Sequence, residues 1–155
     1  MTKGLLIAII GAALTAIIPG IGSAIGVQMG GKASAGVVSE KPNLFNKLII
    51  LQALPGTQGF YGFIIAVVVL AKLNIMSGDP LPLTLDEGWA YVTACMPTLI
   101  IGFVSAILQA KVSVSAIHMT AKQPNASSKG MTMTAMVETY AILALLSSIL
   151  ITIGL

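Results

Sequence analysis

Glu138 is the residue of this chain from which chemistry is to be expected. It stands about 9 residues beyond Lys129 in an apolar run that reaches Leu155, roughly 13 Å along a helix rising 1.5 Å per residue. An ionisable group at that depth in a bilayer costs at least about 2.5–3.5 kcal/mol on insertion scales, so it needs a proton, a partner or a cation. Other polar side chains lie at matching depth. Thr57 and Gln58 are about 10 and 11 residues beyond Lys47, and Gln109 is about 12 residues before Ala121. A carboxylate, two amide carbonyls and a hydroxyl are the oxygens a hard cation takes. Pro55 lacks an N–H, kinks its helix and loosens carbonyls that can face the same cation. Tyr61, one turn beyond Thr57, can donate its hydroxyl to the carboxylate. Each residue alone reads as helix glue, and so does a protonated Glu138. Converging at one depth, they read as one site.

The elements that must position these residues are legible from composition. Of 155 residues, 56% are hydrophobic and 8% charged, against roughly 25% charged in an ordinary soluble domain. So few charges cannot cover the surface of a soluble globule, and the class is integral membrane protein. One cysteine, Cys95, and one histidine, His118, exclude an internal disulfide, a thiolate cluster and a multi-histidine metal site. Both residues have bland readings, an apolar filler and a group near a solvated helix end. The net charge of +3 comes from scattered lysines with 5% aromatics, which is no nucleic-acid surface.

Four apolar stretches follow: Gly4 into the thirties, Lys47 to Lys72, Trp89 to Thr120, and Gly130 to Leu155. Each exceeds the roughly 20 residues that cross a hydrocarbon core as a helix. Four transmembrane helices are expected, with a polar connection from Asn74 to Gly88. Trp89 and Tyr91 read as an interfacial anchor. Glu40, Asp79, Asp86 and Glu87 read as solvated loop acids.

The chain also repeats itself. Pro42-Asn43 recurs as Pro124-Asn125, and at that same offset of 82 Ser23-Ala24-Ile25 meets Ser105-Ala106-Ile107 while Lys47 meets Lys129. A duplicated helical hairpin is expected, with a first hairpin over 1–73, an extracytoplasmic connection over 74–87 and a second hairpin over 88–155. Because Lys3 and the apolar run after it belong to a repeat, the first helix is not read as a cleaved signal peptide. Glu138 faces Gly56 at this offset, so one carboxylate serves four helices. Lys32, Lys41, Lys47, Lys111, Lys122 and Lys129 flank the two short loops, which puts those loops in the cytoplasm and both termini outside. Gly22, Gly26 and Gly30, like Gly102, Ala106 and Ala110, are spaced four apart, a pattern that lets helix backbones approach closely in lipid.

The run Leu54-Pro55-Gly56-Thr57-Gln58-Gly59-Phe60-Tyr61-Gly62, together with Gln109 and Met136-Val137-Glu138-Thr139-Tyr140-Ala141-Ile142, resembles the duplicated proteolipid family of V-type ATPases. The likeness is nearest to the K-subunit branch of bacterial sodium-translocating V-ATPases and covers essentially the whole chain. The resemblance implies an all-α membrane protein assembled with identical subunits into a rotor ring surrounded by lipid. It implies Na+ held by Glu138, by the side chains of Thr57, Gln58 and Gln109, and by the Leu54 backbone carbonyl, with Tyr61 hydrogen-bonded to the carboxylate. It further implies a stator subunit that supplies an Arg, since all eight basic residues here are Lys, and a central-stalk subunit on the cytoplasmic loops. No Gly-x4-Gly-Lys-Ser/Thr run is present, so ATP hydrolysis is expected on other subunits. Two other readings stay open: the same rotor carrying H+, and, more distantly, a four-helix exporter coupled through a membrane Glu.

Overall fold

The computed structural model describes residues 2–155, and among them the regular structure is entirely helical. The first span is one helix, α1 (Lys3–Glu40). The second is broken into α2 (Phe45–Ala53) and α3 (Thr57–Lys72). The third is α4 (Leu85–Lys122) and the fourth α5 (Ser127–Gly154). Single 3-10 turns, Pro42–Leu44 and Pro124–Ala126, close the two hairpins. Four segments are long and apolar enough to cross a membrane: Lys3–Glu40, Pro42–Lys72, Leu85–Lys122 and Pro124–Gly154.

The helices run further than the apolar stretches suggest. With 38 residues each, α1 and α4 are about 57 Å long, nearly twice a hydrocarbon core of about 30 Å. Their ends therefore carry charge. Glu40 closes α1, and Asp86 and Glu87 form the first turn of α4, not a loop as their charge suggests. Thr84 explains the early start of α4: its Oγ1 accepts from the Glu87 N–H at 3.3 Å while Glu87 Oε2 accepts from the Thr84 N–H at 2.7 Å. This reciprocal capping box satisfies two donors that a helix start otherwise leaves free. Trp89 is exposed as an interfacial anchor requires, but Tyr91 is 5% exposed and belongs to the core.

Helices α1 and α4 pack against each other along their length. The α2–α3 span lies on α1, α5 lies on α4, and α3 bridges to α5. Small residues make the central contact possible. A Cβ on Gly22 would stand 2.9 Å from the Phe103 carbonyl oxygen, and one on Gly26 would stand 2.7 Å from Pro55 Cβ, so a side chain at either would push the backbones apart. Two apolar clusters result. One contains Leu5, Ile65, Val69, Leu73, Tyr91 and Cys95, and the other, near the hairpin loops, contains Leu44, Leu48, Leu51 and Ile117.

Lysines tie the two hairpins at both ends. Lys41 Nζ donates to the Ala121 carbonyl at 2.7 Å and Lys47 Nζ to the Pro124 carbonyl at 2.9 Å. At the opposite end Lys72 Nζ donates to the Thr152 and Ile153 carbonyls at 2.6 and 3.0 Å. The acceptors lie in the last turns of α4 and α5 or just beyond them, where free carbonyls and the helix dipole favour a cation.

Candidate ion-binding site

The site is built around the interruption of the second span. Pro55 has no N–H, so the Leu51 carbonyl loses the partner it would have four residues on. The backbone tightens into a 3-10 turn over Leu54–Gly56, and Ser113 of α4 donates its hydroxyl to the orphaned Leu51 carbonyl at 2.5 Å. Beyond the turn, the Gly59 N–H donates to Ser23 Oγ of α1 at 2.8 Å. The Thr57 hydroxyl turns back onto the Leu54 carbonyl at 3.1 Å. Side chains from two other helices thus supply what the broken ladder lacks, as backbone polar groups inside a bilayer require.

This break delivers Gln58 into the middle of the bundle, where it and Gln109 are both fully buried. Gln58 Nε2 donates to Gln109 Oε1. Gln109 Nε2 is shared between the Thr134 carbonyl at 3.2 Å and Glu138 Oε2 at 3.4 Å. The Tyr61 hydroxyl donates to Glu138 Oε1 at 2.5 Å. Each carboxylate oxygen therefore receives one neutral donor, from α3 on one side and α4 on the other. Glu138 itself is half-buried on α5, between the exposed Met136 and Tyr140 of the outer surface. Among the described residues no cationic side chain is hydrogen-bonded to it.

One polar atom of this cluster has no partner: Gln58 Oε1 is buried and accepts no hydrogen bond. Leaving such an acceptor unsatisfied costs about 1–3 kcal/mol. A carbonyl oxygen without a donor, one residue away in the network from a carboxylate without a cation, suits a hard positive ion.

Of the six residues the sequence singles out, four are joined in one network: Gln58, Tyr61, Gln109 and Glu138. Leu54 and Thr57 are joined to each other at the helix break, and their hydrogen bonds do not reach Glu138. Three contributors escape sequence reasoning: Thr134 through its carbonyl, Ser23 and Ser113. Serines and threonines are frequent in membrane helices, and their spacing says nothing of a partner 36 or 62 residues away. The usable signal was Pro55 itself, which frees the Leu51 carbonyl and so demands a donor at that depth.

Comparisons with known proteins agree with this architecture. The family model that describes the C subunit of ATP synthase matches the chain twice, over residues 10–69 and 92–151. The chain is 39% identical to the K subunit of the V-type sodium ATPase of Enterococcus hirae over 97% of this chain and 93% of that one. It is 35% identical to the K subunit of the A-type ATP synthase of Methanocaldococcus jannaschii over 99% of this chain, which spans 65% of that relative. The chain belongs to the ATP synthase C-subunit family, as a membrane rotor proteolipid of the V- and A-type ATPases and without a catalytic role.

Proposed function

We propose that this protein carries Na+ across the membrane on Glu138, loaded and unloaded as a ring of identical copies turns. The observation that carries the reading is the unpartnered Gln58 Oε1, buried in the same hydrogen-bonded cluster as the Glu138 carboxylate. Proton carriage needs the carboxyl alone, whereas a desolvated sodium ion needs several oxygens. Thr57 and the Leu54 carbonyl stand at the helix break as the remaining oxygens. The similarity to a relative named for sodium points the same way.

In this reading Tyr61 and Gln109 hold the carboxylate in place while the ion neutralises it. An ionised Glu138 facing lipid is costly, and a sodium-neutralised one is not, so the loaded subunit turns through the bilayer and the empty one does not. Release requires a competing positive charge. A stator subunit supplies it as an Arg, because all eight basic residues of this chain are lysines and, among the described residues, none is hydrogen-bonded to Glu138. The hairpin loops, rich in Lys, face the cytoplasm and bear the central stalk, through which ATP hydrolysis on other subunits drives rotation.

The test is ATP-driven sodium uptake by vesicles containing the whole complex. Glu138→Gln is expected to abolish uptake while the ring still assembles. Uptake at the wild-type rate by that variant overturns the proposal. The proton reading is separated in the same vesicles, since it requires acidification that persists without sodium.

A further inference from the structure

The helix that carries Thr57, Gln58 and Tyr61 begins partway along an apolar span. Its N-cap is Gly56, whose backbone is already helical (φ −82°, ψ −20°) and which has no side chain to cap with. The first N–H groups of a helix have no partner within it, and in lipid no water supplies one. The two long helices meet this need with their own caps, Thr2 for α1 and Thr84 for α4. For α3 the acceptor comes from another helix. Ser23 of α1 is buried, and its Oγ takes the N–H of Gly59, in the first turn of α3, at 2.8 Å. An N-cap serine makes that bond to its own helix; here a residue 36 positions away makes it. Gly59 permits the approach, since a Cβ there would stand 3.3 Å from Ser23 Cβ and 3.4 Å from Gly20 Cα.

We infer that Ser23 is a positioning residue of the ion site, which caps α3 from outside and thereby sets the affinity for the ion. The inference rests on the sodium reading and adds to it a residue that touches no ion. Gly59 lies between the residues through which α3 reaches the carboxylate. Gln58 Nε2 donates to Gln109 and Gln109 to Glu138 Oε2, while Tyr61 donates to Glu138 Oε1. Among the described residues, the Gly59–Ser23 bond is the one that ties the backbone of this first turn to another helix. A group that holds ligands in place acts on affinity through their spacing, and its loss typically costs about 10–100-fold.

The repeat supplies an internal control. At the offset of 82, Ser23, Pro55 and Gly59 meet Ser105, Val137 and Ala141. Val137 keeps its N–H, and α5 runs unbroken from Ser127 to Gly154, so the Ala141 N–H stays in its own helical ladder. Ser105 is buried as Ser23 is, yet its hydroxyl turns to the Gly102 carbonyl of its own helix at 3.4 Å. The same serine stands in both hairpins, and only the one opposite the proline break has a helix start to cap.

The test is ATP-driven uptake by vesicles containing the whole complex, measured against sodium concentration. Ser23→Ala is expected to raise the sodium that half-saturates uptake by about tenfold or more, with a smaller effect on the rate at saturating sodium. Ser105→Ala should change neither, and Ser23→Thr, which keeps the acceptor, should stay near the parent value. A half-saturating concentration unchanged by Ser23→Ala, or raised equally by Ser105→Ala, overturns the inference. A fall in thermal stability without that shift also overturns it, because it marks a purely structural serine. Where Ser23→Ala yields no assembled complex, Ser23→Cys, of similar volume and a weaker acceptor, is read for the same shift. Parent uptake that ignores sodium overturns the ion reading alone. In that case a shift by Ser23→Ala in the pH of half-maximal proton pumping upholds the positioning role, and no shift overturns it.

Discussion

The hydroxyl of Tyr61 and Oε1 of Glu138 lie 2.5 Å apart although 77 residues separate them. Through this one bond the short helix beyond the Pro55 break holds the carboxylate on α5. A hydrogen bond to a charged group contributes about 1.5–3 kcal/mol, so its loss is large on the scale of ion binding. Tyr61→Phe keeps the ring packing and deletes the donor. The sodium concentration that half-saturates transport is expected to rise by about tenfold or more, since about 1.4 kcal/mol corresponds to tenfold. Sodium-dependent uptake by the variant complex checks this.

The Pro55 break and Ser113 form a second coupled pair. Ser113→Ala alone leaves the Leu51 carbonyl without its donor, a loss of about 1–3 kcal/mol for a buried acceptor. With Pro55→Ala in place, residue 55 regains an N–H that can serve Leu51, and the serine becomes dispensable. The two substitutions should therefore be non-additive in a double-mutant cycle read by thermal unfolding in detergent. Pro55→Ala should also weaken sodium binding, because it returns the Leu54 region to a regular helical ladder.

Two glycines give opposite expectations. A Cβ on Gly62 would stand 2.2 Å from the Thr15 carbonyl oxygen, whereas one on Gly36 meets nothing within 4 Å. Gly62→Ala must separate α1 from α3, costing about 1–3 kcal/mol or more as overpacking does. Gly36→Ala sits in a helix with open space around it and should stabilise by roughly 0.5–1 kcal/mol. Unfolding midpoints of the two variants, compared with the parent protein, decide both.

The four apolar spans, the repeat at an offset of 82 and the position of Glu138 inside the fourth span were legible because they follow from where charge is absent and from a fixed offset. Gln58, Gln109 and Tyr61 were legible for a related reason: an amide or phenol in the middle of an apolar run needs a partner, and few were available. Helix ends were less so, since Glu40, Asp86 and Glu87 carry the charges that mark loops yet sit in terminal turns. The length of α1 and α4 beyond the bilayer accounts for that. Ser23 and Ser113 were hidden because a hydroxyl in a membrane helix usually bonds its own backbone, as Thr134 does to the Gly130 carbonyl at 2.8 Å, and only the fold shows which ones do not.

Sodium occupancy of Glu138 is tested most directly by carbodiimide labelling of the carboxyl in membranes, at a pH where the reagent still reacts. Carbodiimide attacks the protonated carboxyl, and a bound cation excludes that proton. Sodium is expected to protect Glu138 while equal potassium does not, and the sodium required should rise as pH falls, because protons compete for the same oxygens. Labelling that ignores sodium and declines only as pH rises would contradict the account and make Glu138 a proton site.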